Sequence, residues 1–166
     1  MIYSDIIFSY KADKFRKVVD LFDSLRQIDV YLLAGMIGVL NDQKDQEKQA
    51  GADSLNIPRD VLHNPGLKLE FLMSTVYLIK SGQNIDDRDL LRNAFETNDF
   101  GSVAFRKLDR VELFHQYALG GIDILYSKIV EASTTSSIEP IDILMDFYEE
   151  LYNKIDSDLV LENFEI

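Results

Sequence analysis

The chain has 166 residues, of which 46% are apolar and 28% charged, with ten Phe, eight Tyr, no Trp, no Cys and a formal net charge of −12. A chain of this length is most simply one domain, and its core can bury roughly 70% of the unfolded surface without a disulfide or metal staple. The lack of cysteine excludes disulfides, thiol nucleophiles and Cys-ligated metal sites, and the acidic balance argues against nucleic-acid or anionic-membrane binding by the bulk surface, because both need concentrated Lys and Arg.

The chain begins Met1-Ile2-Tyr3-Ser4-Asp5, without the basic and small-residue pattern of a signal peptide. Phe15, Val18, Val19, Phe22 and Leu25 then recur at helical spacing, with Lys14, Arg16, Lys17, Asp20 and Asp23 opposite them. The expected helix runs from Asp13 to Gln27 and extends back to Ser4 through Ile7 and Phe8. A short strand through the alternating Ile6, Phe8 and Tyr10 is the competing reading. Asp29 is the expected N-cap of the next helix, Val30–Leu40. That run of eleven residues is apolar on every side and spans about half a bilayer, so it belongs in the middle of a core and not in a membrane. Ala34, Gly35 and Gly38 form a strip of small residues where another backbone can approach closely. Together with the missing cysteines, these features make the cytoplasm the expected location.

From Asn41 to Gln49 there is no apolar side chain, and residues 41–64 are expected to be an exposed helical extension or a mobile segment. A helical turn is expected at Pro58–Leu62, followed by a break at Pro65-Gly66. Leu69, Leu72, Met73, Val76 and Tyr77 mark a further helix closed by Gly82, and Asp86-Asp87 open a shorter one carrying Leu90, Leu91, Ala94 and Phe95. Another short helix is expected at Val103–Leu108. The longest helix is expected from Asp109 to Ala132, apolar well beyond one face. Its Gly120-Gly121 pair reads as a close helix contact, because it does not lie at a strand-to-helix turn. Ser133–Ser137 reads as a polar linker. Pro140 opens a final helix with Ile141, Leu144, Met145, Tyr148, Leu151, Tyr152 and Ile155 expected inward, ahead of the short apolar tail Leu159–Ile166. The expected fold class is therefore all-α: a single-domain bundle of five to six helices over residues 1–166, mostly antiparallel, with no βαβ unit and no Rossmann-type cofactor site.

Catalytic motifs are sparse. There is no phosphate loop and no Gly-x-Ser-x-Gly elbow. His63 and His115 are the two histidines, on different segments; Glu112 and His115 have Glu-x-x-His spacing, but a di-metal bundle needs a second such motif on a facing helix and none occurs, so no metal or cofactor is expected. In the segment Arg110-Val111-Glu112-Leu113-Phe114-His115, four residues separate the arginine from the histidine. This resembles the Arg–His pair of helical RNases of the HEPN class, although Val111 stands where that class usually has a polar residue. The resemblance implies an alternative reading in which His115 is an acid or base and Arg110 stabilises phosphorane charge during RNA cleavage. The basic cluster Arg88, Arg92, Arg106, Lys107 and Arg110 is interleaved with aspartates, which leaves little net field for nucleic acid.

The charge is local. Residues Glu139 to Ile166 carry nine acids and the single lysine Lys154, so this segment alone is −8. Asp142, Asp146, Glu149 and Glu150 lie at helical spacings of three and four and form the expected partner-binding face, complementary to a basic surface. The favoured reading is a non-enzymatic protein-interaction module: a small acidic subunit, adaptor or regulator of a larger intracellular, bacterial-type assembly, with a homodimer also allowed by the apolar tail. A second alternative is an acidic inhibitor of a nucleic-acid-binding protein.

Overall fold

A computed structural model describes residues 6–8, 10–22, 25–46, 54–57, 67–81, 86–95, 109–135 and 138–162. The fold is all-α. Its elements, in chain order, are β1 (Ile6–Phe8), α1 (Ala12–Asp20), α2 (Gln27–Leu40), β2 (Leu55–Ile57), α3 (Leu67–Ser81), α4 (Asp87–Phe95) and α5 (Asp109–Leu125). The rod of α5 continues through a π-helical stretch, Tyr126–Glu131, into the single turn α6 (Ala132–Thr135), and α7 (Pro140–Glu162) follows. The expected turns at Pro58–Leu62 and Val103–Leu108 lie outside the described residues.

The centre of the fold is the α2–α5 pair, which shares the most extensive interface in the molecule. Small residues allow it. A Cβ on Gly121 would overlap the carbonyl of Ala34, and one on Gly38 would overlap the carbonyl of Tyr117. Backbone therefore lies directly on backbone, and the loss of about 1 kcal/mol of helix propensity at each glycine is offset by packing. Ala34 meets Gly121 while Gly38 meets Tyr117, so the two helices run in opposite directions. On either side of this contact sit Tyr31, Ile37, Phe114, Tyr117, Leu119 and Ile122, all at most 1% exposed. Tyr31 and Phe114 meet edge to face with centroids 5.5 Å apart, a favoured arrangement of aromatic quadrupoles.

The N-terminal segment departs from the helix expected back to Ser4. Ile6–Phe8 is a strand, paired antiparallel with Leu55–Ile57 so that Ile6 faces Ile57 and Phe8 faces Leu55. The partner strand is some fifty residues away in sequence, and this long-range pairing overrides the local helical pattern. Phe8 is fully buried and packs on Phe15 of α1 at 4.7 Å between centroids. Helix α1 is also shorter than the expected Asp13–Gln27. Tight turns end it, with the Phe22 amide donating to the Val19 carbonyl at 3.0 Å and that of Leu25 to Phe22 at 3.1 Å.

Helix α2 begins earlier than expected, and Asp29 is not its N-cap. Asp29 lies inside the first turn, and its carboxylate accepts the backbone N–H of Arg26 at 3.0 Å and that residue's guanidinium at 2.9 Å. The Arg26 pairing holds the Asp29 carboxyl below the usual carboxylate range. At the other end, the amide of Gln43 donates to the Gly38 carbonyl at 2.8 Å and that of Asp42 to Val39 at 3.2 Å. This is a Schellman closure with Asp42 in the left-handed region at φ 49°.

Residues 41–46 are neither a helical extension nor detached from the body. The segment lies over Gly120, whose absent side chain makes room for the Gln43 carbonyl, and the Asp45 amide donates to the Gln116 carbonyl at 3.0 Å. Lys11, 3% exposed, anchors the same region: its Nζ donates to the Leu119 carbonyl at 2.7 Å and pairs with Asp45 at 2.8 Å and with Asp123. Lys14 takes the other oxygen of Asp123 at 2.6 Å. A buried ammonium is tolerable only with this degree of charge and hydrogen-bond compensation.

Past Leu125, α5 widens into the π-helical stretch. Ser133, Thr134 and Thr135, read as linker from composition, are the final helical turn. Their hydroxyls donate back to the carbonyls of Val130 and Glu131 at 3.0, 2.7 and 3.0 Å, which supplies partners at the helix end.

Candidate functional site

Helix α7 starts where Pro140 pre-sets a helical φ and needs no N–H partner. The Glu139 carbonyl accepts the amides of Asp142 at 3.0 Å and Ile143 at 3.3 Å. The helix docks on the π-helical stretch through a narrow inner face. Phe147 is 5% exposed there, with Ile143 and Leu144 half-buried beside it. Burying a phenylalanine in this way is worth about 2–3 kcal/mol. Lys128 closes the contact from the π-helical side: its Nζ lies 5.5 Å from the Phe147 ring centroid and 3.2 Å from Glu150 Oε2.

The inward set expected from the sequence is therefore mostly wrong. Leu144 faces the body, but Ile141, Met145, Tyr148 and Tyr152 are 54–64% exposed. The side chains of Leu151 and Ile155 lie outside the description. A single exposed hydrophobe needs no explanation, whereas a continuous row of large ones marks a contact surface. Ile138, just ahead of the helix, extends the row. The acidic side chains expected to bind a partner run beside it. Asp142, Asp146, Glu149 and Glu150 are all exposed. Glu150 is engaged by Lys128, while among the described residues no cation pairs with Asp142, Asp146 or Glu149. No three His, Asp or Glu side chains among the described residues converge to hold a metal ion.

Arg110 and His115 sit elsewhere. Both are on α5 and both are buried, at 3% and 4% exposure. The His115 ring lies edge-on to Phe8 at 5.1 Å and tilted against Tyr31 at 6.2 Å, held between β1 and α2. Burial also pushes the Tyr31 hydroxyl well above its ordinary pKa. Five residues on a helix turn through about 500°, which leaves the two positions about 140° apart around the axis. A general acid or base must reach its substrate's proton; the described contacts of the His115 ring include the Phe8 and Tyr31 rings.

Two features of the docking face were missed by sequence reasoning: the buried Phe147 and the cation Lys128 over it. The available signal was that Ile143, Leu144 and Phe147 form a second set at helical spacing, competing with the first. Comparison of the chain with protein-family models, with curated proteins and with solved structures returns no match. Its functional reading therefore rests on its own residues. No helix among the described residues is long and apolar enough to cross a membrane.

Proposed function

We propose that the chain is a non-enzymatic protein-interaction module, a small acidic subunit, adaptor or regulator that docks through the outer face of α7 onto a partner with a basic surface. One observation carries this reading: the exposed row Ile141, Met145, Tyr148 and Tyr152 runs beside the exposed carboxylates Asp142, Asp146 and Glu149, with which no cation among the described residues pairs. Apolar area supplies affinity, and the carboxylates speed encounter and select a basic partner. The burial of His115 against aromatic rings supports a structural role for that residue over an RNase-like one.

The test is capture from the native host with tagged full-length protein, at low and high salt, beside the triple variant Asp142→Lys, Asp146→Lys, Glu149→Lys. A stoichiometric partner should be held at low salt, released at high salt and absent with the variant, whose helicity stays at the wild-type level. A partner retained equally by the charge-reversed protein, or no stoichiometric partner at all, would sink the reading.

A further inference from the structure

The exposed row on α7 has a period. Ile141, Met145, Tyr148 and Tyr152 are separated by four, three and four residues, and the sequence continues that alternation at Ile155 and Leu159 along the same helix. A mean step of about 3.5 residues is the a/d pattern of a two-helix coiled-coil seam. The helix does not need this row to hold itself to the body, because Ile143, Leu144 and Phe147 already do so. It thus carries two apolar faces, one packed and one open.

We infer that the open face is one strand of a two-helix coiled coil, completed by an amphipathic helix of a partner protein with Lys or Arg along one flank. This inference rests on the interaction reading above and names the partner's chemistry. With Met145 and Tyr152 at a and Ile141 and Tyr148 at d, Asp142 and Glu149 fall at the e positions, which flank the seam and choose the partner by charge. Leu144 falls on the opposite flank, at g, and is packed against the body. An incoming helix therefore has one flank against the body and the other against carboxylates, so its cations belong on one side only. A second copy of α7 is the wrong occupant. Laid antiparallel, it would bring Asp142 and Glu149 against their own counterparts, within a segment that is −8 in each copy. Tyr148 and Tyr152 are the anchors, since exposed tyrosines at the centre of a helix face bury large area at small entropic cost.

Three synthetic peptides of about 28 residues, long enough to form a helix on binding, test this by fluorescence anisotropy against the full chain. The first has Leu and Ile at a and d with Lys on one flank, the second has the same composition scrambled, and the third has Glu in place of Lys. The first should bind at least about tenfold more tightly than the others. The double variant Met145→Asp, Tyr148→Asp should lose about tenfold or more while its circular dichroism spectrum and urea midpoint stay unchanged. Equal binding of the scrambled peptide would overturn the coiled coil and leave a plain acidic docking face standing. Undiminished binding by the folded double variant would overturn it as well. Sedimentation of the chain alone as a dimer that the double variant dissociates would make the occupant a second copy. Failure of the interaction reading is seen separately, as absence of any host partner.

Discussion

The α2–α5 interface and the outer face of α7 are both built on helices rich in apolar residues, and they use them in opposite ways. In the first, small residues bring backbones together, and Gly38 and Gly121 leave no room for a Cβ. In the second, large side chains at Ile141, Met145, Tyr148 and Tyr152 stand in solvent with carboxylates alongside. Apolar character alone therefore does not separate core from contact surface. What separates them is whether the chain supplies the opposing wall. For α2 it does, in α5. For the outer face of α7, no described part of the chain covers the row.

Breaking the first region should have the largest effect. Gly121→Ala gains about 1 kcal/mol of helix propensity but drives a Cβ into the Ala34 carbonyl. The net result should be a loss of about 3 kcal/mol in urea denaturation, and a stabilised protein would refute the backbone contact. Lys11→Met comes next. It leaves Asp45 and Asp123 short of a cation, although both are partly exposed and Lys14 still serves Asp123. The loss should be about 2 kcal/mol in the same assay, and a neutral result would show that the carboxylates are satisfied by water.

The α7 double variant Met145→Asp, Tyr148→Asp sharpens the comparison from the other side. It should change stability by less than about 0.5 kcal/mol, because it removes no core contact. A large loss of stability would show that the row packs against the chain after all. A small effect, confined to acid pH, belongs to Asp42, at the end of α2. Its carboxyl is held below the usual range by the hydrogen bond from Lys80 at 2.8 Å and that from the Tyr117 hydroxyl at 3.1 Å. A depressed carboxylate stabilises the fold above its unfolded pKa of about 3.9, and that contribution disappears as pH falls through the lower folded value. Asp42→Asn should flatten this acid limb, measured as urea midpoint against pH. The change should stay under about 1 kcal/mol because the pair is exposed.

The legible part of the fold was the part decided by local pattern. Helices at α3, α4, α5 and α7 follow from apolar residues spaced at three and four, and the centrality of α2 follows from its lack of a polar face. The glycines at 38, 120 and 121 read as close helix contacts because no turn or phosphate-loop context surrounds them, and the structure places backbone against them. Of the candidate site, the acidic row was legible as charge at helical spacing. The stripe beside it was assigned to the wrong side. Both Ile141–Met145–Tyr148–Tyr152 and Ile143–Leu144–Phe147 satisfy a helical period, so periodicity cannot say which one meets the body.

The sequence by itself determined the helical class, the two central helices and the concentration of charge at the C-terminal end, because each depends on composition or spacing within one segment. Tertiary structure decided the rest. Ile6–Phe8 became a strand because Leu55–Ile57 lies beside it. Lys11 could be buried because Asp45, Asp123 and the Leu119 carbonyl converge on it from distant segments. The inner face of α7 was chosen by the π-helical stretch and by Lys128, which cover Phe147 and leave the row from Ile141 to Tyr152 outside. In each case the deciding partner is remote in sequence, and the energy of contact exists only once the chain has brought the two together.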